Sequence, residues 1–166
     1  MLNIYEQYIS GFGEMYIRIG ISAVLGFLIG LDRSVKNKPA GIKTYTYVCV
    51  ACTLITLISI ESAQTLSEPD SGKVMDPMRL AAQIVSGLGF LGAGMILKDG
   101  LKVKGLTSAA MILFAGGVGI GIGAGFYSIV GFSVIVSLFT ARMGLLLEKT
   151  KGMDHGKEYD LDEMDM

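Results

Sequence analysis

Charge is scarce in this chain. Only 17% of its 166 residues are Asp, Glu, Lys or Arg, where a soluble domain carries about a quarter. The net charge is −1. No RNP, zinc-finger or basic-helix pattern occurs, so nucleic acid is not an expected partner. Trp is absent, and His155 is the single histidine. No HExxH motif and no constellation around an activated Ser or Cys is present, so enzyme chemistry is not expected and no cofactor is implied. The cysteines, Cys49 and Cys52, lie three apart in an apolar run with no second pair. They read as small packing residues, not as metal ligands or a redox pair. The first fourteen residues hold Glu6 and Glu14 but no Lys or Arg. No Ala-x-Ala site follows, so a cleaved secretory signal is not expected.

Apolar and small residues are what the chain has in plenty. Hydrophobic residues make up 51%, mean hydropathy is +0.55, and 23 residues are Gly. A bilayer span takes about 20 apolar residues. Such runs are read at 15–31, 44–60, 80–97, 106–122 and 126–147. The fold class is therefore all-α, a polytopic membrane protein of about five transmembrane helices. Residues 1–147 form the membrane domain. Residues 148–166 form an acidic, disordered cytoplasmic tail.

The central run, residues 76–97, organises the rest. Asp76, Arg79, Gln83 and Ser86 follow at helical spacing and share a face near its start. Lipid does not tolerate such a face, so this seam is expected to point at protein or water. Asp76 before Pro77 also reads as a helix cap. The glycines read as helix-packing positions: Gly26, Gly30, Gly87, Gly89, Gly92, Gly94, Gly117 and Gly121. In the fourth run Gly117, Gly121 and Gly125 repeat every fourth residue, as do Ala115, Gly119 and Gly123. Gly123-Ala-Gly125 reads as a tight turn. The loop 98–105 is basic, with glycine turns.

Lys and Arg set the orientation. Arg33, Lys36, Lys38 and Lys43 follow the first run; Lys98, Lys102 and Lys104 follow the third; Arg142, Lys149, Lys151 and Lys157 close the fifth. The other side holds Lys73 and Arg79, with Arg18 just inside the first run. The N-terminus is therefore expected outside and the C-terminus in the cytoplasm. Arg18, Asp76 and Arg79 then sit near the outer surface, and Asp32 and Arg33 near the inner one. Arg18 either snorkels or pairs with Asp76. Asp76 and Asp32 are candidate metal ligands, but the hydrocarbon core, about 30 Å thick, keeps them from sharing one ion. Leu25-Gly-Phe-Leu28 and Leu88-Gly-Phe-Leu91 form a faint echo of a two-helix repeat.

Three segments carry a resemblance. Gly30-Leu-Asp-Arg33 with Lys38-Pro-Ala-Gly-Ile-Lys-Thr44, the central run from Asp76 to Gly94, and Gly105-Leu-Thr-Ser-Ala-Ala110 are similar, in that order, to the motifs of the MgtC/SapB family. The family usually has Glu where Asp32 stands and Thr where Ser108 stands. The resemblance implies a multi-pass protein of the bacterial cytoplasmic (inner) membrane. It implies a role in magnesium homeostasis, stress survival or virulence through contacts with other membrane proteins. ATP synthase or a magnesium transporter is such a partner, and a homo-oligomer, favoured as a dimer, is expected. The alternative is an Mg²⁺ transporter or channel along the Asp76–Gln83 seam. Longer members carry a soluble domain after the last span, and this chain reads as a short form without it.

Overall fold

The computed structural model describes residues 2–36, 38–66, 76–99 and 102–155. Among them are five helices and one hairpin. The helices are α1 (Leu2–Val35), α2 (Ile42–Leu66), α3 (Arg79–Gly94), α4 (Leu106–Gly123) and α5 (Tyr127–His155). The hairpin is β1 (Leu97–Asp99) and β2 (Lys102–Lys104). The chain divides into two units, residues 1–130 and 131–166. The second unit carries most of α5, whose Ile135 and Phe139 are exposed.

Four segments are long and apolar enough to cross a membrane: Gly13–Val35, Ile42–Leu66, Leu106–Gly123 and Tyr127–Gly144. The remaining helix, α3, is 16 residues long. At 1.5 Å per residue it spans about 24 Å, short of the ~30 Å hydrocarbon core. The run 80–97 is thus not one continuous helix. The helix stops at Gly94, where the Met95 and Ile96 N–H groups turn back onto the Gly92 and Ala93 carbonyls, each at 3.1 Å. Leu97 then enters a strand. The loop read at 98–105 is an antiparallel ladder pairing Leu97 with Lys104 and Lys98 with Val103. Gly105 makes the ladder's exit possible. Its φ is 92°, and a Cβ there would collide with the Met95 carbonyl oxygen. At the far end α5 runs on as helix past residue 147 to His155. Lys73 and tail residues 156–166 lie outside the described residues.

Close backbone approach holds α1, α2 and α4 together. A Cβ on Gly26 would lie 2.8 Å from the Thr46 Cα, and one on Gly30 would lie 2.6 Å from the Ile42 Cα. Helix α2 faces α4 with Cys49, Thr53 and Thr56, all buried, at helical spacing. The facing residues are Ala115, Gly119 and Gly123. Cys49 Sγ donates to the Ala115 carbonyl at 3.2 Å, and Thr53 Oγ1 to the Gly119 carbonyl at 2.8 Å. A Cβ on Gly119 would lie 2.7 Å from the Cys52 Cβ, and one on Gly123 would lie 2.8 Å from the Thr56 Cβ. Both cysteines are buried free thiols. Helix α3 packs on α4 and α2 with Ala81, Ile84, Leu88 and Gly92 as its buried residues, and Gly92 lies beside Ala109 of α4. Leu88 fills the space over Gly116.

Candidate functional site

Helix α4 ends in a Schellman turn. The Phe126 N–H bonds the Gly121 carbonyl at 2.8 Å, the Gly125 N–H bonds Ile122 at 3.1 Å, and Gly125 sits at φ 84°. The turn leaves the Gly123 carbonyl without a backbone donor. Arg18 supplies one: its Nη1 donates to that oxygen at 2.6 Å. Its Nη2 donates to Glu14 at 2.5 Å, one turn earlier on α1. The guanidinium also lies 5.9 Å from the centre of the Tyr127 ring. A cation at the negative end of α4 is well placed. The expected pairing of Arg18 with Asp76 is therefore replaced. A helix-end carbonyl takes the guanidinium, and the nearer acid on its own helix completes it.

Asp76 turns inward on its own backbone. Its Oδ1 accepts the Met78 N–H at 2.8 Å, the Asx turn that lets short polar side chains start a helix. Ser59 of α2 fastens the same turn by donating to the Pro77 carbonyl at 2.6 Å. Helix α3 then begins at Arg79, with Met78 in the cap position. Arg79, Gln83 and Ser86 are exposed, on the face opposite Ala81, Ile84 and Leu88. Among the described residues none covers this row. Phe90 continues it at 80% exposure. Gly87, Gly89 and Gly94, and Gly117 on α4, have open space where a Cβ would go, so among the described residues these four make no close helix contact. Gly92 has ordinary room beside Ala109 at 3.7 Å, and Gly121 is filled by Val130.

The opposite end of the first unit gathers Arg33, Tyr45 and Ser108. Arg33, in the last turn of α1, is 6% exposed. Its Nη2 donates to Ser108 Oγ at 3.0 Å. Tyr45, fully buried, donates from its hydroxyl to the Ser108 carbonyl at 3.4 Å. Asp32, beside Arg33, is engaged by Lys36 at 2.8 Å. The two candidate metal ligands, Asp76 and Asp32, are thus each committed to a local partner. Among the described residues no three His, Cys, Asp or Glu side chains gather as a metal site. Sequence reasoning placed Arg33 at the inner surface and read Gly119 and Gly123 as one of two close-approach faces of the fourth run, but missed Gly116 and the roles of Tyr45 and Ser108 as partners at this end. The fourfold repeat Ala115–Gly119–Gly123 carried that reading.

Apolar helices pressed together at glycines, with polar side chains satisfied by neighbouring helix backbones, define a polytopic helical membrane protein. Residues 19–150 match the model of the MgtC family. The chain belongs to that family. It is 39% identical over 150 residues to the protein SapB of Bacillus subtilis, covering 89% of this chain and 64% of the relative. It is 38% identical over 125 residues to the protein MgtC of Brucella abortus, covering 75% of this chain and 47% of the relative. It is 35% identical over 126 residues to a putative magnesium transporter, YhiD, of Escherichia coli, covering 75% and 58%. The chain therefore spans about half to two thirds of the length of the curated relatives it matches. No solved structure matches.

Proposed function

We propose that this chain is an inner-membrane protein that supports magnesium homeostasis by docking to other membrane proteins, and first to a second copy of itself. The observation that carries this reading is the outward polar row of α3, Arg79, Gln83 and Ser86. Amide, hydroxyl and guanidinium groups facing lipid are unfavourable, and helix contacts in lipid favour such groups beside small residues. Gly87 and Gly94, one and three turns on from Gln83, leave open space for a closely approaching helix. Asp76 and Arg79 sit at one end of the row. In a dimer with its twofold axis along the membrane normal, the acid of one copy meets the base of the other. The Lys and Arg bias supports an outer N-terminus and a cytoplasmic C-terminus.

Docking suits this row better than ion passage does. Mg²⁺ is held by carboxylates and retained waters, and the row contains one acid, already bonded to its own backbone. The test is Mg²⁺ uptake into liposomes holding the purified chain. No uptake above empty vesicles is expected, with recovery of the chain as a dimer or with a membrane complex. Saturable uptake that disappears in Asp76→Ala would establish the transporter reading instead.

A further inference from the structure

We propose that the end of the first unit where α1 stops and α2 and α4 begin binds a phosphate group. Three observations converge there. Arg33 is 6% exposed, and its Nε is buried without a hydrogen-bond partner. Its Nη2 reaches Ser108 Oγ, so the guanidinium lies against the first turn of α4. No described acid pairs with it, and Asp32, the adjacent one, is held by Lys36. A cation withdrawn from water without a counter-charge is costly.

The neighbours deepen the need for an anion. Tyr45, in the first turn of α2, reaches the Ser108 carbonyl, so the starts of α2 and α4 lie side by side. A helix start presents N–H groups without intrahelical acceptors and the positive end of the macrodipole. Arg33 rides on the last turn of α1, the negative end of that helix, while its guanidinium faces the positive starts of α2 and α4, and Lys43, exposed in the first turn of α2, adds to their sign. A planar guanidinium with an unused N–H, beside two helix starts, matches the several accepting oxygens of a phosphate. The phosphate has two available sources, a phospholipid headgroup or phosphate free in solution.

The full chain in detergent is titrated with inorganic phosphate at constant ionic strength, and its thermal midpoint is followed. Separately, chain labelled with ¹⁵N-arginine is placed in phospholipid nanodiscs, and ³¹P–¹⁵N contacts are measured by solid-state NMR. A saturable rise in midpoint, with affinity falling about tenfold or more in Arg33→Gln, assigns free phosphate. A phosphorus within about 4 Å of an arginine Nε or Nη, seen only in nanodiscs, assigns the headgroup. Ser108→Ala identifies the resonance as that of Arg33, because it alters the hydrogen bond that Arg33 makes. This arm stands even where Arg33→Gln does not fold. No saturable rise in detergent together with no phosphorus near the Arg33 signal overturns the proposal. A rise that Arg33→Gln leaves unchanged, with no such contact, overturns it equally.

Discussion

Arg33 Nη2 donates to Ser108 Oγ across 3.0 Å, and this bond ties the last turn of α1 to the first turn of α4. Both residues are buried. Ser108→Ala removes the acceptor and leaves a second nitrogen of a charged group unmatched. The expected cost is about 1.5–3 kcal/mol, as for hydrogen bonds to charged groups. Denaturant unfolding in detergent measures it. Ser108→Thr keeps the hydroxyl and is expected to restore most of the loss.

Arg18 separates two effects at the other end. Its partner Glu14 is 57% exposed on the side chain, and an exposed ion pair of this kind contributes little because solvent screens it. The bond to the Gly123 carbonyl closes an otherwise empty acceptor at a helix end. Arg18→Leu is therefore expected to destabilise the chain clearly more than Glu14→Gln. Paired unfolding curves decide this.

Glycines that look alike in sequence are expected to differ sharply on substitution. Gly30→Ala would place a methyl 2.6 Å from the Ile42 Cα, and backbone cannot yield as a flexible side chain can. Overpacking of this kind costs about 1–3 kcal/mol. Gly117→Ala meets nothing within 4 Å, and is expected to fall within about 0.5 kcal/mol of the parent. Thermal unfolding of the two variants side by side is the check.

Thr53 donates to the Gly119 carbonyl at 2.8 Å between α2 and α4. Thr53→Val keeps the shape and removes the donor. The expected loss is about 0.6 kcal/mol, the average for hydrogen bonds between membrane helices. The same denaturant series in detergent reads it.

The helical membrane class was legible because apolar runs, glycine spacing and Lys/Arg bias are all written along one dimension. Azimuth was not. Arg79, Gln83 and Ser86 could be placed on one face of α3, but small residues occur on several faces, so periodicity alone did not tell which face the chain keeps. The end of α3 was hidden for a related reason. Ile96 and Leu97 are as apolar as the helix before them, and hydropathy does not separate a short strand from another helical turn. The partner of Arg18 carried no residue-type signal, since a carbonyl belongs to every residue. Only the Gly123-Ala-Gly125 turn hinted at a helix end in need of a donor. Arg33 was read as part of a basic loop, and the lysines around it gave no hint of its burial.

The outward polar row of α3 is tested most directly by disulfide cross-linking in native membranes. Cys49→Ser with Cys52→Ala supplies a cysteine-free background, and Gly87→Cys puts one thiol in the open space on that row. Ile58→Cys, on exposed α2 surface, is the control. Mild oxidation is expected to give a dimer of this chain from Gly87→Cys and none from Ile58→Cys. Monomer from Gly87→Cys, or cross-linking to a protein of different mass, would contradict docking of a second copy on α3.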